Sequence, residues 1–333
     1  MSTIKTIVVV LLAIGIIYFF GPSPKTPEYS TTFPKVSSDL SFIADSISKS
    51  ETDRGNVKPG NEAKIIFAND SLKNKTEWSL VYIHGFSASE KEGDPINREF
   101  AKRYGMNLFL ARMSDHGIDT TDALVNMTSD RLWKTAKEAL AVGNQIGDKV
   151  ILMSTSTGGT LSLLLASKYP NKVSALISFS PNVRINDPAA FLLNDPWGLQ
   201  IARLAMGGES RTTGPDDDET SKYWNNKYRL ESVVNLQQLV ETSMTEETFK
   251  NVKCPSLTVA YYKDEGHQDP TVMVEAEGWM NDEISTPEEY KRFVKLPNVG
   301  VHPMASGIMS KDLPAVRKTI NSFAEEVLKL EPK

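Results

Sequence analysis

Cysteine is nearly absent from this chain: Cys254 is the only one in 333 residues. One thiol cannot form an intramolecular disulfide, so cysteine usage leaves the redox compartment open. Histidine is also scarce, with only His84, His116, His267 and His302. No Cys/His cluster has zinc spacing, which removes the usual sequence basis for a metal site. Positive charge is not in excess either. The 37 Lys and Arg against 42 Asp and Glu leave a formal net charge of −5, a poor match to a polyanion such as nucleic acid. Internal repeats are lacking. What remains is a long, well-mixed chain, 40% hydrophobic, ample for one large α/β domain or two ordinary ones.

The longest apolar run is Ile7–Phe20, interrupted only by Gly15 and the Tyr18 hydroxyl. It is longer than a soluble core strand and short of the ~20 residues of a full membrane span. It ends in Tyr18-Phe19-Phe20, where a cleaved signal ends in small residues. Pro22 and Pro24 stop any helix soon after. No cysteine follows, which excludes a lipoprotein anchor. We therefore expect residues 1–22 to be an N-terminal membrane anchor. Lys5 and the free amine favour the cytoplasmic side for that end, so the body is expected outside the cytoplasm. The alternative is a signal segment whose cleavage leaves a secreted body. Residues 23–60, rich in Ser, Thr, Pro, Lys and Asp, are expected to be a polar tether with one short helix at Ser38–Ser48.

From residue 61 to 333 the pattern changes to alternating strand and helix. Strands are predicted at Lys64–Ala68, Ser79–Ile83, Asn107–Ala111, Lys149–Met153, Val173–Phe179 and Ser256–Tyr262, with a weaker one at Arg292–Leu296. Unbroken apolar runs such as "VILM" and "ALISF" fit strands covered on both faces, as in a parallel sheet. Helices are predicted at Ser129–Ile146, Thr157–Tyr169 and Pro314–Leu330. The first of these places Leu132, Ala136, Ala139, Leu140 and Gly143 on one side. Such alternation predicts a doubly wound α/β sheet. Between Phe179 and Cys254 no good strand is visible, and residues 183–250 read as a helical insertion that covers the strand ends as a lid.

The stretch "VILMSTSTGGTLSLLLA", Val150–Ala166, passes from strand to helix through small residues with Ser156 at the turn. A sharp strand–helix turn strains its central residue and needs small neighbours two places either side. Ser154 and Gly158 occupy those places, so the segment matches the nucleophile elbow G-x-S-x-G with Ser154 for the first glycine. The helix start beside it offers the Thr157 N–H to a developing oxyanion. "VYIHGFSAS" supplies the second donor, the Phe86 N–H, with Gly85 allowing close backbone approach and His84 organising the loop. His116, in "ARMSDHG", suits a turn-stabilising role, and His267 a solvated loop. His302, in "LPNVGVHPM", comes last, as the base does in the chain order Ser, acid, His. The acid follows the strand ending at Tyr262. In "YYKDEGHQDPTVMV" we favour Asp269, with the turn Pro270-Thr271-Val272 behind it, and keep Asp264 as the alternative.

Together "IHGFSAS", "ARMSDHG", "STSTGG", "KDEGHQDPTV" and "GVH" resemble the α/β-hydrolase superfamily over about Glu62–Leu330. "HGF" and "R-x-x-x-HG" bring the chain nearest to its carboxylesterase and monoacylglycerol-lipase branch, which also holds the serine aminopeptidases. The chain departs from the pattern at Ser154, at "GVH", which is one residue longer than "GH", and in a longer acid loop. The resemblance implies a mostly parallel sheet with helices on both faces. It also implies a serine hydrolase that cleaves carboxylic esters through Ser156, His302 and Asp269, with Phe86 and Thr157 as oxyanion donors. No metal or organic cofactor is needed. The expected partner is a small ester with an apolar acyl group, received under the Trp- and Leu-bearing lid. A serine aminopeptidase is the alternative, for which the acidic run Asp216-Asp217-Asp218-Glu219 offers a site for an amine. As a solvated loop, that run needs no such role. An inactive, membrane-tethered binding module is the third.

Overall fold

Alternation within the apolar runs divides the molecule into layers. The computed structural model describes residues 2–214 and 217–333. Its strands are β1 (Lys64–Ile66), β2 (Thr76–Ile83), β3 (Asn107–Leu110), β4 (Gly147–Thr155), β5 (Ala175–Phe179), β6 (Ser210–Thr212), β7 (Lys227–Arg229), β8 (Ser256–Asp264), β9 (His267–Gln268) and β10 (Lys291–Leu296). Its α-helices are α1 (Ser2–Phe19), α2 (Leu40–Arg54), α3 (Ile96–Arg103), α4 (Ser129–Ile146), α5 (Thr157–Lys168), α6 (Gly198–Met206), α7 (Thr220–Tyr223), α8 (Leu230–Ser243), α9 (Glu246–Lys250), α10 (Val274–Glu283) and α11 (Leu313–Glu326). The main sheet runs β1-β3-β2-β4-β5-β8-β10, with β9 appended to β8. β1 is antiparallel to β3 and β9 to β8, and the other neighbours are parallel.

Because strand side chains alternate, one unbroken run feeds two cores. On β4, Val150 and Leu152 join the layer with Leu132, Trp133 and Leu140 of α4 and Leu161 and Leu164 of α5. Ile151 and Met153 face the other layer, with Ile96 and Phe100 of α3 and Ile320 and Phe323 of α11. Each such fully buried aliphatic contributes about 1.5–3 kcal/mol relative to exposure. Helix α4 begins where Thr128 caps it, its side chain accepting the Arg131 N–H, and all five residues predicted for its inner face are buried. Between β5 and β8 lie helices α6 to α9 and a two-stranded antiparallel ribbon, β6-β7. The ribbon was not foreseen, because Ser210–Thr212 and Lys227–Arg229 have no apolar alternation to announce a strand.

The amino terminus requires a correction. Helix α1 has 18 residues, about 27 Å at 1.5 Å per residue, short of a hydrocarbon core of about 30 Å. No helix among the described residues is long and apolar enough to cross a membrane. The expected membrane anchor, and with it the body held or released outside the cytoplasm, is therefore not upheld. The end of α1 instead meets the insertion. The Tyr18 hydroxyl donates to Asp195 at 3.2 Å, and the Trp197 indole N–H donates to the Ile17 carbonyl at 2.9 Å. Most of its apolar side chains are exposed. Residues 23–60 lie along the body: the Lys137 ammonium donates to the carbonyls of Ser30 and Thr32, and Arg112 pairs with Glu51 of α2.

Candidate active site

Ser156 stands between β4 and α5 with φ 53° and ψ −120°, a conformation that L-residues adopt only where the surroundings enforce it. Its own backbone is held on both sides. The Ser156 N–H donates to the Phe179 carbonyl, and its carbonyl accepts the Asn182 N–H, each at 3.0 Å. Close packing explains the small residues around it. Ser154 lies opposite Ser178 on β5, their hydroxyls 3.4 Å apart, so a pair of small side chains takes the place where glycine was expected. Gly158 is tighter still. A methyl group there would sit 1.9 Å from the Ile83 carbonyl oxygen. As first residue of its helix, Thr157 has an N–H without an intrahelical acceptor.

The turn after β2 is fixed by His84. Its Nε2 accepts the Met113 N–H at 3.0 Å, which leaves Nδ1 to carry the proton and donate to the Gly85 carbonyl at 2.9 Å. Burial pushes this imidazole down to about 3, with His116 and Arg112 acting in the same direction, so His84 is neutral and structural. Burial likewise takes His116 down to about 4, and its Nδ1 is bonded to the Ser114 carbonyl at 2.8 Å. The Phe86 ring packs edge-on against Tyr228 and His116.

Asp269 is wholly buried and lies 2.7 Å from His302, Oδ2 to Nδ1. Its Oδ1 accepts the N–H groups of Thr271 and Val272 at 2.8 and 3.2 Å. Burial works to raise the Asp269 pKa, but His302, then Ser180 and the Thr271 N–H, outweigh it and hold the carboxyl below its ordinary value. For His302 the signs reverse: burial works to lower its pKa, but Asp269 and then Glu92 leave it raised. His302 Nε2 is buried with no hydrogen-bond partner. Asp264 serves elsewhere. It is exposed and pairs with exposed His267, Oδ1 to Nδ1, at 2.7 Å.

Ser156 and His302 line one cavity of about 470 Å³, together with Phe86, Glu92 and Asn182. Its far wall comes from the insertion, including Leu193, Tyr228, Val233 and Leu236. Two of these residues were not singled out in the sequence. Asn182 is signalled by nothing in its neighbourhood. Glu92 likewise carries no local signal, and it is buried together with Ala88, Ser89, Glu90 and Gly93. Of the acidic run, Asp217 accepts the N–H groups of Glu219 and Thr220, none of 217–219 lines the cavity, and Asp216 lies outside the described residues.

The sheet order, with a serine turn after its central strand, is that of the α/β-hydrolase fold, and this chain has it. No family model matches the sequence, and neither does any curated protein. Solved structures do match. A lipolytic enzyme of the metagenome-derived pair LipS and LipT superposes with a TM-score of 0.64 at 18% identity, over 80% of this chain and 98% of its own. The monoacylglycerol lipase of Paleococcus ferrophilus gives 0.57 at 13% identity, over 80% and 99%. Est1E of Butyrivibrio proteoclasticus, with ferulic acid bound, gives 0.53 at 19% identity, over 80% and 95%. At such identities the likeness establishes the fold alone.

Proposed function

We propose that this protein is a serine hydrolase that cleaves carboxylic esters, with Ser156 as nucleophile, His302 as base and Asp269 as the acid that orients it. The observation that carries this reading is a strained, buried serine sharing a cavity with an imidazole. That imidazole is bonded through Nδ1 to Asp269 and has Nε2 free. The Ser156 hydroxyl attacks the ester carbonyl while Nε2 takes its proton, and the imidazolium is stabilised by Asp269. The N–H groups of Phe86 and Thr157 receive the oxyanion. His302 then returns the proton to the leaving alcohol, and a water activated by His302 releases the acid from the acyl-enzyme. The segment 183–250 acts as the lid, and its apolar wall suits an apolar acyl group of modest size.

The test is a comparison of p-nitrophenyl acyl esters of rising chain length with an aminoacyl anilide. Esters should be favoured in kcat/KM by about tenfold or more. Preference for the anilide would move the assignment to the aminopeptidase branch, and no labelling of Ser156 by a fluorophosphonate would leave a binding module. For the acid, Asp269→Asn should lower kcat by about 10³–10⁴-fold, because the imidazole loses its anchor and its correct tautomer. Asp264→Asn, on the exposed pair with His267, should stay within about threefold of wild type, since isolated surface pairs contribute little. The reverse pattern in steady-state kinetics would replace Asp269 by Asp264.

A further inference from the structure

Two glutamates enter the body on one short 3-10 turn, Glu90–Gly93, which Ser89 caps. Both are 3% exposed. Glu90 is neutralised by Lys64 and Arg98, at 3.2 and 2.6 Å. Glu92 has no such cation among the described residues. Its Oε2 instead accepts the Gly85 N–H at 2.6 Å, and the carboxyl faces the cavity of Ser156 and His302. A methyl group on Gly85 would lie 3.0 Å from both Glu92 Oε1 and Ser156 Cβ, so carboxyl and nucleophile flank the same glycine. An uncompensated buried carboxylate is unfavourable. An amide side chain would accept the same hydrogen bond without a charge, so mere satisfaction of one N–H does not account for a glutamate here.

Gly85 links two peptide planes, and a glycine leaves both free to turn. The plane after it carries the Phe86 N–H, and its carbonyl is bonded to His84 Nδ1. The plane before it carries the Gly85 N–H, bonded to Glu92. With both planes held, neither dihedral of Gly85 can relax. We propose that Glu92 is a positioning residue of the acyl-transfer site, holding the His84–Phe86 turn so that the Phe86 N–H is presented to the acyl oxygen at Ser156. This rests on the ester-hydrolase reading. A preorganised donor is worth more than one that must reorient during reaction.

The carboxyl also acts through charge. Burial pushes Glu92 up to about 7, against the Gly85 N–H and His302, which favour its anion. The groups that share its surroundings are Tyr82 on β2, Glu90 on its own turn, and His302. His302 in turn faces Asp269, behind which Glu277 of α10 is buried and held well above the usual carboxyl range. Ionised Glu92 raises the His302 pKa. Removing that charge while keeping an acceptor must therefore lower the pH at which His302 becomes a base.

The experiment measures p-nitrophenyl butyrate hydrolysis by wild type, Glu92→Ala and Glu92→Gln across pH, with thermal unfolding of each. Glu92→Ala should lose about 10–100-fold in kcat with KM within about threefold. Glu92→Gln should regain about tenfold over the alanine variant, with the acidic limb of its kcat/KM profile displaced to lower pH than in wild type. Should Glu92→Ala fail to fold, the profile of Glu92→Gln carries the test alone. Wild-type kcat in Glu92→Ala, or an unmoved acidic limb in Glu92→Gln, overturns the proposal. A wild-type protein that neither turns over the ester nor labels at Ser156 overturns the underlying reading first, before any Glu92 variant is compared.

Discussion

On the proposed function, Ser156→Ala should lower ester hydrolysis by roughly 10⁴–10⁶-fold while leaving thermal unfolding within a degree or two, since only a single hydroxyl of a cavity-lining residue is deleted. His302→Ala should lose about as much. The double variant should lose little more, because in the proposed mechanism nucleophile and base act as one unit and neither retains its function alone. The pH dependence follows from the same pair. His302 must be neutral to accept the hydroxyl proton, and its pKa lies above the ordinary 6.5 because Asp269 and Glu92 outweigh its burial. Activity therefore falls as pH drops through that raised value, and the acidic limb of kcat/KM should lie above pH 6.5 in wild type. Fluorophosphonate labelling should follow the same limb, since it needs the same deprotonation. A Ser156→Ala protein that still hydrolyses esters at a tenth of the wild-type rate would place the nucleophile elsewhere.

The elbow was readable because its residues have no other use. A strand needs β-branched or aliphatic side chains, and a helix does not begin better for having serine, glycine and glycine at its start. Small residues at 154, 156, 158 and 159 therefore announce a close approach, and Gly158 and Gly159 meet the Ile83 carbonyl and Pro181 as that predicts. Helix α4 was equally plain from its single apolar stripe. Strand β1 was foreseen as a strand but not as the antiparallel edge, for its pairing with β3 is a matter of topology that three residues cannot encode. The ribbon β6-β7 and strand β9 are pairings of two or three residues and carry no periodicity of their own. The turn at Asp269 lay between these cases. Its shape comes from Oδ1 bonding the Thr271 and Val272 N–H groups, a local habit of aspartate, whereas its distance from His302 depends on where β8 and β10 end. The amino terminus misled through composition. An apolar run already short for a span reads as an anchor, but no helix among the described residues is long and apolar enough to cross a membrane. Glu92 went unread because burial of a charge is a tertiary fact.

Among the glycines, Gly158 is where an added methyl group meets its neighbour most closely, so Gly158→Ala should be strongly damaging. The added Cβ would lie 1.9 Å from the Ile83 oxygen, 2.7 Å from the Ile83 carbonyl carbon and 2.9 Å from the His84 oxygen. All three are backbone atoms at or just past the end of the central strand β2, so no side chain can swing aside to make room. Helix α5 would have to move away from β2 by more than an ångström. Overpacking of this kind costs about 1–3 kcal/mol where neighbours can give, and more here because they cannot. The expected result is a fall in stability above about 3 kcal/mol, read as a large drop in Tm or as loss of soluble protein. Gly208→Ala is the matched control. A methyl group there meets nothing within 4 Å, and its effect should stay within about 0.5 kcal/mol. The damage at Gly158 reaches function even in whatever fraction folds. Ile83 and His84 lead directly into the turn that carries the Phe86 N–H, and Gly158 follows the Thr157 N–H. A shift that relieves the clash therefore separates the two N–H groups proposed to receive the oxyanion. Fluorophosphonate labelling per folded molecule should drop by about 10²-fold or more. Wild-type stability and labelling in Gly158→Ala would mean that strand and helix are not in the contact on which the Ser156 turn depends.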